Sequence, residues 1–150
     1  MKKIKEPGMS VIVKTVARLV ARVMLLFGFY VVLHGQVTHG GGFAGGVVMA
    51  LVFILIMLAY GKEGALRTFS RTGALTTAGI GLILLVAIAF TGYWRGHFFA
   101  NFLGQGWPFE FWSAGVIPFL NIAIGLVVLG SLYGIFAALT HFHSEEEEKQ

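Results

Sequence analysis

No Lys, Arg, Asp or Glu occurs between Val23 and Tyr60, or again between Ala74 and Gly92. A hydrocarbon core of about 30 Å takes about 20 apolar residues as helix, and only helices or closed barrels satisfy their own backbone polar groups at that depth. Four runs meet the helical length: about Thr15 to Leu33, Phe43 to Tyr60, Ala74 to Tyr93, and Ser113 or Val116 to Leu139. The expected fold is all-α, a polytopic membrane protein built as a bundle of four transmembrane helices. Residues 1–14 then form a basic cytoplasmic N-terminus, 15–139 the membrane domain and 140–150 an acidic tail.

Composition agrees. Charged residues make up 12 % of the chain, about half the roughly 25 % of soluble domains. The net charge of +4 resides in basic residues that flank the apolar runs, which suits an anionic lipid surface. They form no stripe with stacking aromatics, so nucleic acid is not an expected partner. Cysteine is absent, which removes thiolate ligands for an iron–sulfur cluster or structural zinc, and disulfides with them. Asp is absent too, so no Ser-His-Asp constellation exists, and no phosphate loop or dinucleotide fingerprint is present. No cofactor is expected in this chain, and catalysis in it is not expected.

Lys14, Arg18 and Arg22 recur every fourth residue at the start of the first run and share one helical face, from which Arg18 and Arg22 snorkel toward the headgroups. No small-x-small cleavage site follows before the glycine turn, so this run is expected to remain as a span. Lys2, Lys3, Lys5 and Lys14, the loop residues Lys62, Arg67 and Arg71, and Lys149 fall on one side, against Arg95 on the other. The positive-inside rule puts both termini in the cytoplasm, in the cell membrane. Tyr93, Trp94, Trp107 and Trp112 then lie near the outer interface.

The first two runs are joined by His34-Gly35-Gln36-Val37-Thr38-His39-Gly40-Gly41-Gly42-Phe43-Ala44-Gly45-Gly46. Such glycine density lets the backbone turn sharply and start a helix with almost no side chain on one surface. Gly41 with Gly45, and Gly42 with Gly46, give notches for a neighbouring helix; Gly73 with Gly81, Gly125, and Gly130 with Gly134 offer further close-packing positions. His34 and His39 suit proton relay, although capping the turn at the membrane surface is the favoured reading. Asn121 follows Pro118, expected to free a carbonyl or kink its helix, and its amide needs partners in an apolar setting. A helix–helix hydrogen bond is favoured there over ion coordination. The acids, Glu6, Glu63, Glu110 and Glu145 to Glu148, are not placed at mid-membrane, where an independent carrier would need a titrating group.

The turn, read as Gly35-Gln36-Val37-Thr38-His39-Gly40-Gly41-Gly42-Phe43-Ala44-Gly45-Gly46, resembles the Gly-His-x-x-Pro-Gly-Gly-Gly-Phe-x-Gly-Gly connection of the B subunits of multisubunit monovalent cation/proton antiporters, the Mrp or Mnh family. Gln36 stands where the family often has His, and His39 where it often has Pro. Leu120-Asn121-Ile122-Ala123-Ile124 replaces a common Phe-Asp-Ile-Gly-Val, and the Pro118-x-Leu120-Asn121 pattern is similar to that of the B-type subunits of archaeal membrane-bound hydrogenases and related respiratory complexes.

The resemblance implies a non-redox membrane subunit of a sodium/proton antiporter module. Na+ and H+ are the ions moved by the complex, and other antiporter-like subunits, lipid and, in the respiratory branch, redox subunits are the partners. His34, His39 and Asn121 are the candidates for lining an ion path. A self-contained homo-oligomeric channel is the alternative.

Overall fold

The computed structural model describes residues 9–35, 37, 40–61, 64, 66, 68–100 and 114–147. Among these residues there are four long helices and no strand: α1 (Val11–Leu33), α2 (Gly41–Tyr60), α3 (Arg71–Thr91) and α4 (Ile117–Glu147), with one 3-10 turn, Gly92–Arg95, continuing α3. All four are long and apolar enough to cross a membrane.

The helices α1 and α3 begin upstream of their apolar runs because polar caps, and not hydropathy, set their starts. Ser10 Oγ accepts from the Val13 N–H at 3.4 Å and Ser70 Oγ accepts from the Gly73 N–H at 3.0 Å, each satisfying a donor that a helix start leaves unpaired. Pro118 lies in the first turn of α4, where its missing N–H removes no intrahelical bond. The expected freed carbonyl or kink is therefore not found; the proline helps α4 begin.

In space the helices form an open row in the order α1, α2, α4, α3, with only a minor edge between α1 and α4. The last helix in sequence thus inserts between the second and the third. The inner helices α2 and α4 bury 44 % and 39 % of their apolar windows, against 22 % for each of α1 and α3.

Packing follows membrane rules. Ala50, Ala74 and Ala123 are fully buried, whereas Leu26 and Ile83 are 72 % and 70 % exposed. Lipid tails are as apolar as leucine, so helices gain little by hiding large side chains from them and approach instead through small residues. No polar or charged residue is buried among the described residues.

Two clusters hold the row together. Val32, Met49, Ala50 and Leu129 join α1, α2 and α4. Met57, Ala74, Tyr133 and Ala137 join α2, α3 and α4 near the end that carries both termini. Tyr133 is fully buried, its ring centroid 5.8 Å from that of Phe53 and 5.1 Å from that of Phe69. Its hydroxyl donates to the Phe69 carbonyl at 2.7 Å. A hydroxyl at such a site finds a partner or destabilises the fold.

Candidate functional site

The α2 helix starts at the glycine turn, and its N-cap is Gly40, held at φ 87°. This left-handed conformation is open to glycine at little cost, but glycine brings no side chain to cap the unpaired N–H groups of the first turn. The missing acceptor comes from another helix. Asn121, at the start of the second turn of α4, places its Oδ1 3.3 Å from the Gly42 nitrogen and accepts that N–H.

The approach that permits this bond depends on glycine. A Cβ on Gly42 would overlap the backbone carbonyl of Asn121, and one on Gly35 would lie 2.5 Å from Asn121 Nδ2. A Cβ on Gly41 would run into the Cα of Gly35. Gly35, Gly41, Gly42 and Asn121 therefore form one tight cluster linking the turn, α2 and α4. The amide Nδ2 is buried, with no hydrogen-bond partner among the described residues.

Two glycine stripes continue down α2, about 100° apart because they are offset by one residue. Gly41 and Gly45 turn to the α1 side: a Cβ on Gly45 would collide with the Val32 side chain and lie 2.8 Å from the Gly28 carbonyl oxygen. Gly42 and Gly46 face α4: a Cβ on Gly46 would lie 2.8 Å from the Gly125 carbonyl oxygen. Gly125 in turn lies against Val32 and the Gly42 carbonyl. Gly81 repeats the arrangement between α3 and α4, where an added Cβ would be 2.7 Å from the Ala123 carbonyl oxygen.

Gly73 departs from the expectation. A Cβ there would meet Ser70 and Phe69 of its own preceding segment, not a neighbouring helix. Its spacing from Gly81 matches a packing stripe, but its place in the capped first turn of α3 takes it off the crossing. The other notches are filled from within the chain, so the press on the glycine connector comes from its own turn, α1 and α4.

His34 ends α1 as its C-cap, its backbone N–H donating to the Tyr30 carbonyl at 2.9 Å. Its exposed ring stacks on Tyr30, with centroids 4.2 Å apart and planes 27° apart. His39, Gln36, Trp107 and Trp112 lie outside the described residues, as do the basic residues before Met9 and the side chains of His141 and His143. Among the described residues no three His, Cys, Asp or Glu side chains gather as metal ligands.

The cluster carries the positive end of the α2 dipole and lies one turn inside the start of α4. That field favours acceptors and anions over cations, and a donor already occupies Asn121 Oδ1. Sequence reasoning missed Gly28 and Gly35 as packing positions, and the Tyr133 and Tyr60 hydroxyls as ties. Tyr60, the last residue of an apolar run and followed by glycine, was the readable signal: an interfacial tyrosine with an apolar body and a polar tip.

The family model for a domain related to the MnhB subunit of Na+/H+ antiporter matches residues 12–134. An uncharacterized protein of Methanocaldococcus jannaschii is 38 % identical over 131 residues, 81 % of this chain and 48 % of that one. A Staphylococcus aureus protein named as antiporter subunit mnhB2 is 43 % identical over 59 residues, 39 % of this chain and 42 % of that one. Among solved structures, a chain of the membrane-bound sulfane sulfur reductase, an archaeal respiratory membrane complex, superposes with a TM-score of 0.73 at 31 % identity, covering 89 % of this chain and 59 % of that one. The chain spans about half the length of the curated relatives it matches. With four membrane-length helices and a family match across nearly all of them, the chain belongs to the MnhB family of multi-pass membrane subunits.

Proposed function

We propose that this chain is an architectural subunit of an Mrp-type cation/proton antiporter module, one that exchanges Na+ for H+ through larger antiporter-like subunits beside it. The observation that carries this reading is where its polar and small-residue contacts go. Asn121 caps α2, the glycine stripes close helix crossings within the chain, and no charged side chain is buried among the described residues. A protein that moves cations by itself needs a buried group whose charge alternates. The exposed large apolar faces of α1 and α3 leave room for neighbouring helices and lipid.

A respiratory parent, in which redox subunits drive the module, is supported by the likeness to a chain of the sulfane sulfur reductase complex. The cell membrane is the proposed location, with both termini cytoplasmic, on the count of basic residues in the short loops. Because the chain has no cysteine, single cysteines introduced at Ser10 and at His97, an exposed residue beyond the third span, give clean topology reporters for a membrane-impermeant maleimide; Ser10→Cys should react only from the cytoplasmic face and His97→Cys only from the opposite one.

Reconstitution tests the main reading. The purified full chain in liposomes should show no sodium/proton exchange above protein-free vesicles, whereas the complex extracted from native membranes should exchange. Coupled exchange by the chain alone would overturn this reading, and uncoupled sodium or proton flux through it would favour the self-contained homo-oligomeric channel instead.

A further inference from the structure

Two guanidinium groups on α1 have no counter-charge among the described residues. Tyr60 marks the level at which they stand: its hydroxyl donates to the Lys14 carbonyl at 3.1 Å and accepts from Arg18 Nε at 3.1 Å. Lys14 Nζ and Arg18 Cζ lie 5.9 and 5.7 Å from the centre of its ring. A tyrosine closing a membrane span in this way sits at the headgroup boundary. At about 1.5 Å per residue along a helix, Arg18 is rooted about 6 Å and Arg22 about 12 Å deeper than Lys14.

Both arginines are exposed; Arg18 stands at the edge of α1 that meets Tyr60 of α2, and Arg22, one turn on, points further round toward the open side. Arg18 spends Nε on Tyr60 and retains its terminal amino groups; Arg22 has no hydrogen bond among the described residues. Helical side chains lean toward the helix N-terminus, which for α1 is the direction of the headgroups, so Arg22 is inclined toward the level of Arg18. Thr15, Val16 and Leu19 complete an open, almost wholly apolar groove of about 340 Å³ with the aliphatic stems of the two arginines, whose guanidinium groups stand at its rim. Below it Leu26, Phe29 and Leu33 continue the same face at helical spacing, and they are 72 %, 53 % and 43 % exposed.

We propose that this groove binds one anionic phospholipid, its phosphate held between Arg18 and Arg22 and an acyl chain lying along Leu26, Phe29 and Leu33. Unpaired cations in contact with hydrocarbon are costly, and guanidinium is the side-chain cation whose fork matches phosphate oxygens. The charged head above an uninterrupted apolar stripe has the amphipathic order of a lipid, which is why a lipid is favoured here over a carboxylate of a neighbouring helix.

Native mass spectrometry of the full chain, extracted in mild detergent from vesicles of phosphatidylcholine with phosphatidylglycerol, tests the assignment. The wild type should retain phosphatidylglycerol in preference to phosphatidylcholine, and millimolar inorganic phosphate should not displace it. The pair Arg18→Gln and Arg22→Gln should lower retention about tenfold at unchanged helical circular dichroism; Arg18→Lys with Arg22→Lys should keep part of it. Equal retention in the Gln pair, or no preference for the anionic lipid, would overturn the proposal. So would a chain that binds no lipid and loses as much thermal stability in Glu63→Gln as in the Gln pair, since the arginines would then be neutralised by the chain itself.

Discussion

The amide of Asn121 caps a helix to which it does not belong: its Oδ1 takes the N–H of Gly42, 79 residues earlier, at 3.3 Å. Ser10 and Ser70 cap their own helices from adjacent positions. At α2 the cap residue is a glycine in a conformation that other residues rarely adopt, so the acceptor is delivered from α4. One hydrogen bond thereby sets the start of α2 and the height of α4 beside it.

Asn121→Ala leaves the Gly42 N–H without that acceptor in an apolar setting. Loss of a cap or of a buried hydrogen bond costs about 1–2 kcal/mol, and unfolding of the purified chain in detergent, followed by circular dichroism, should register a loss of that size. Asn121→Asp keeps an acceptor at the positive end of the α2 dipole and should lose less.

Glycine substitutions should split by geometry and not by residue type. A Cβ on Gly46 would meet the Gly125 carbonyl oxygen at 2.8 Å, whereas one on Gly79 would meet nothing within 4 Å. Gly46→Ala forces helices apart at a packed crossing, a cost of about 1–3 kcal/mol. Gly79→Ala should instead be neutral or stabilise by up to about 1 kcal/mol through helix propensity. Parallel unfolding curves of the two variants check the contrast.

Tyr133→Phe retains the ring between Phe53 and Phe69 but deletes the donor to the Phe69 carbonyl. The expected penalty is about 1 kcal/mol, read as a lower unfolding midpoint, with faster amide hydrogen exchange at the start of α3, where Phe69 precedes the capped turn. Equal exchange in wild type and variant would show that this hydroxyl does not hold α3 to α4.

The spans were legible because hydropathy over about 20 residues is a strong signal, and the paired stripes of α2 were legible because offset glycines at a spacing of four have few other uses. Which neighbour each stripe meets was not. Short loops suggest helices adjacent in sequence, yet α4 lies between α2 and α3, an arrangement carried by long-range contacts such as that of Gly81 with Ala123. Gly73 was misread because spacing alone does not distinguish a crossing from a capped first turn. Asn121 was visible as a buried amide in need of a partner, but a partner that is a backbone N–H of a glycine leaves no mark in the sequence. Pro118 was read as a helix interruption because the start of α4 could not be placed to within one turn.

The central claim is that Asn121 holds helices and does not carry ions, and turnover per assembled complex tests it most directly. Native complexes carrying Asn121→Ala should be recovered in lower yield or with lower thermal stability, while sodium-dependent proton exchange, normalised to the amount of intact complex, remains at the wild-type rate. Full assembly with exchange abolished would contradict the account and place the amide in the ion path.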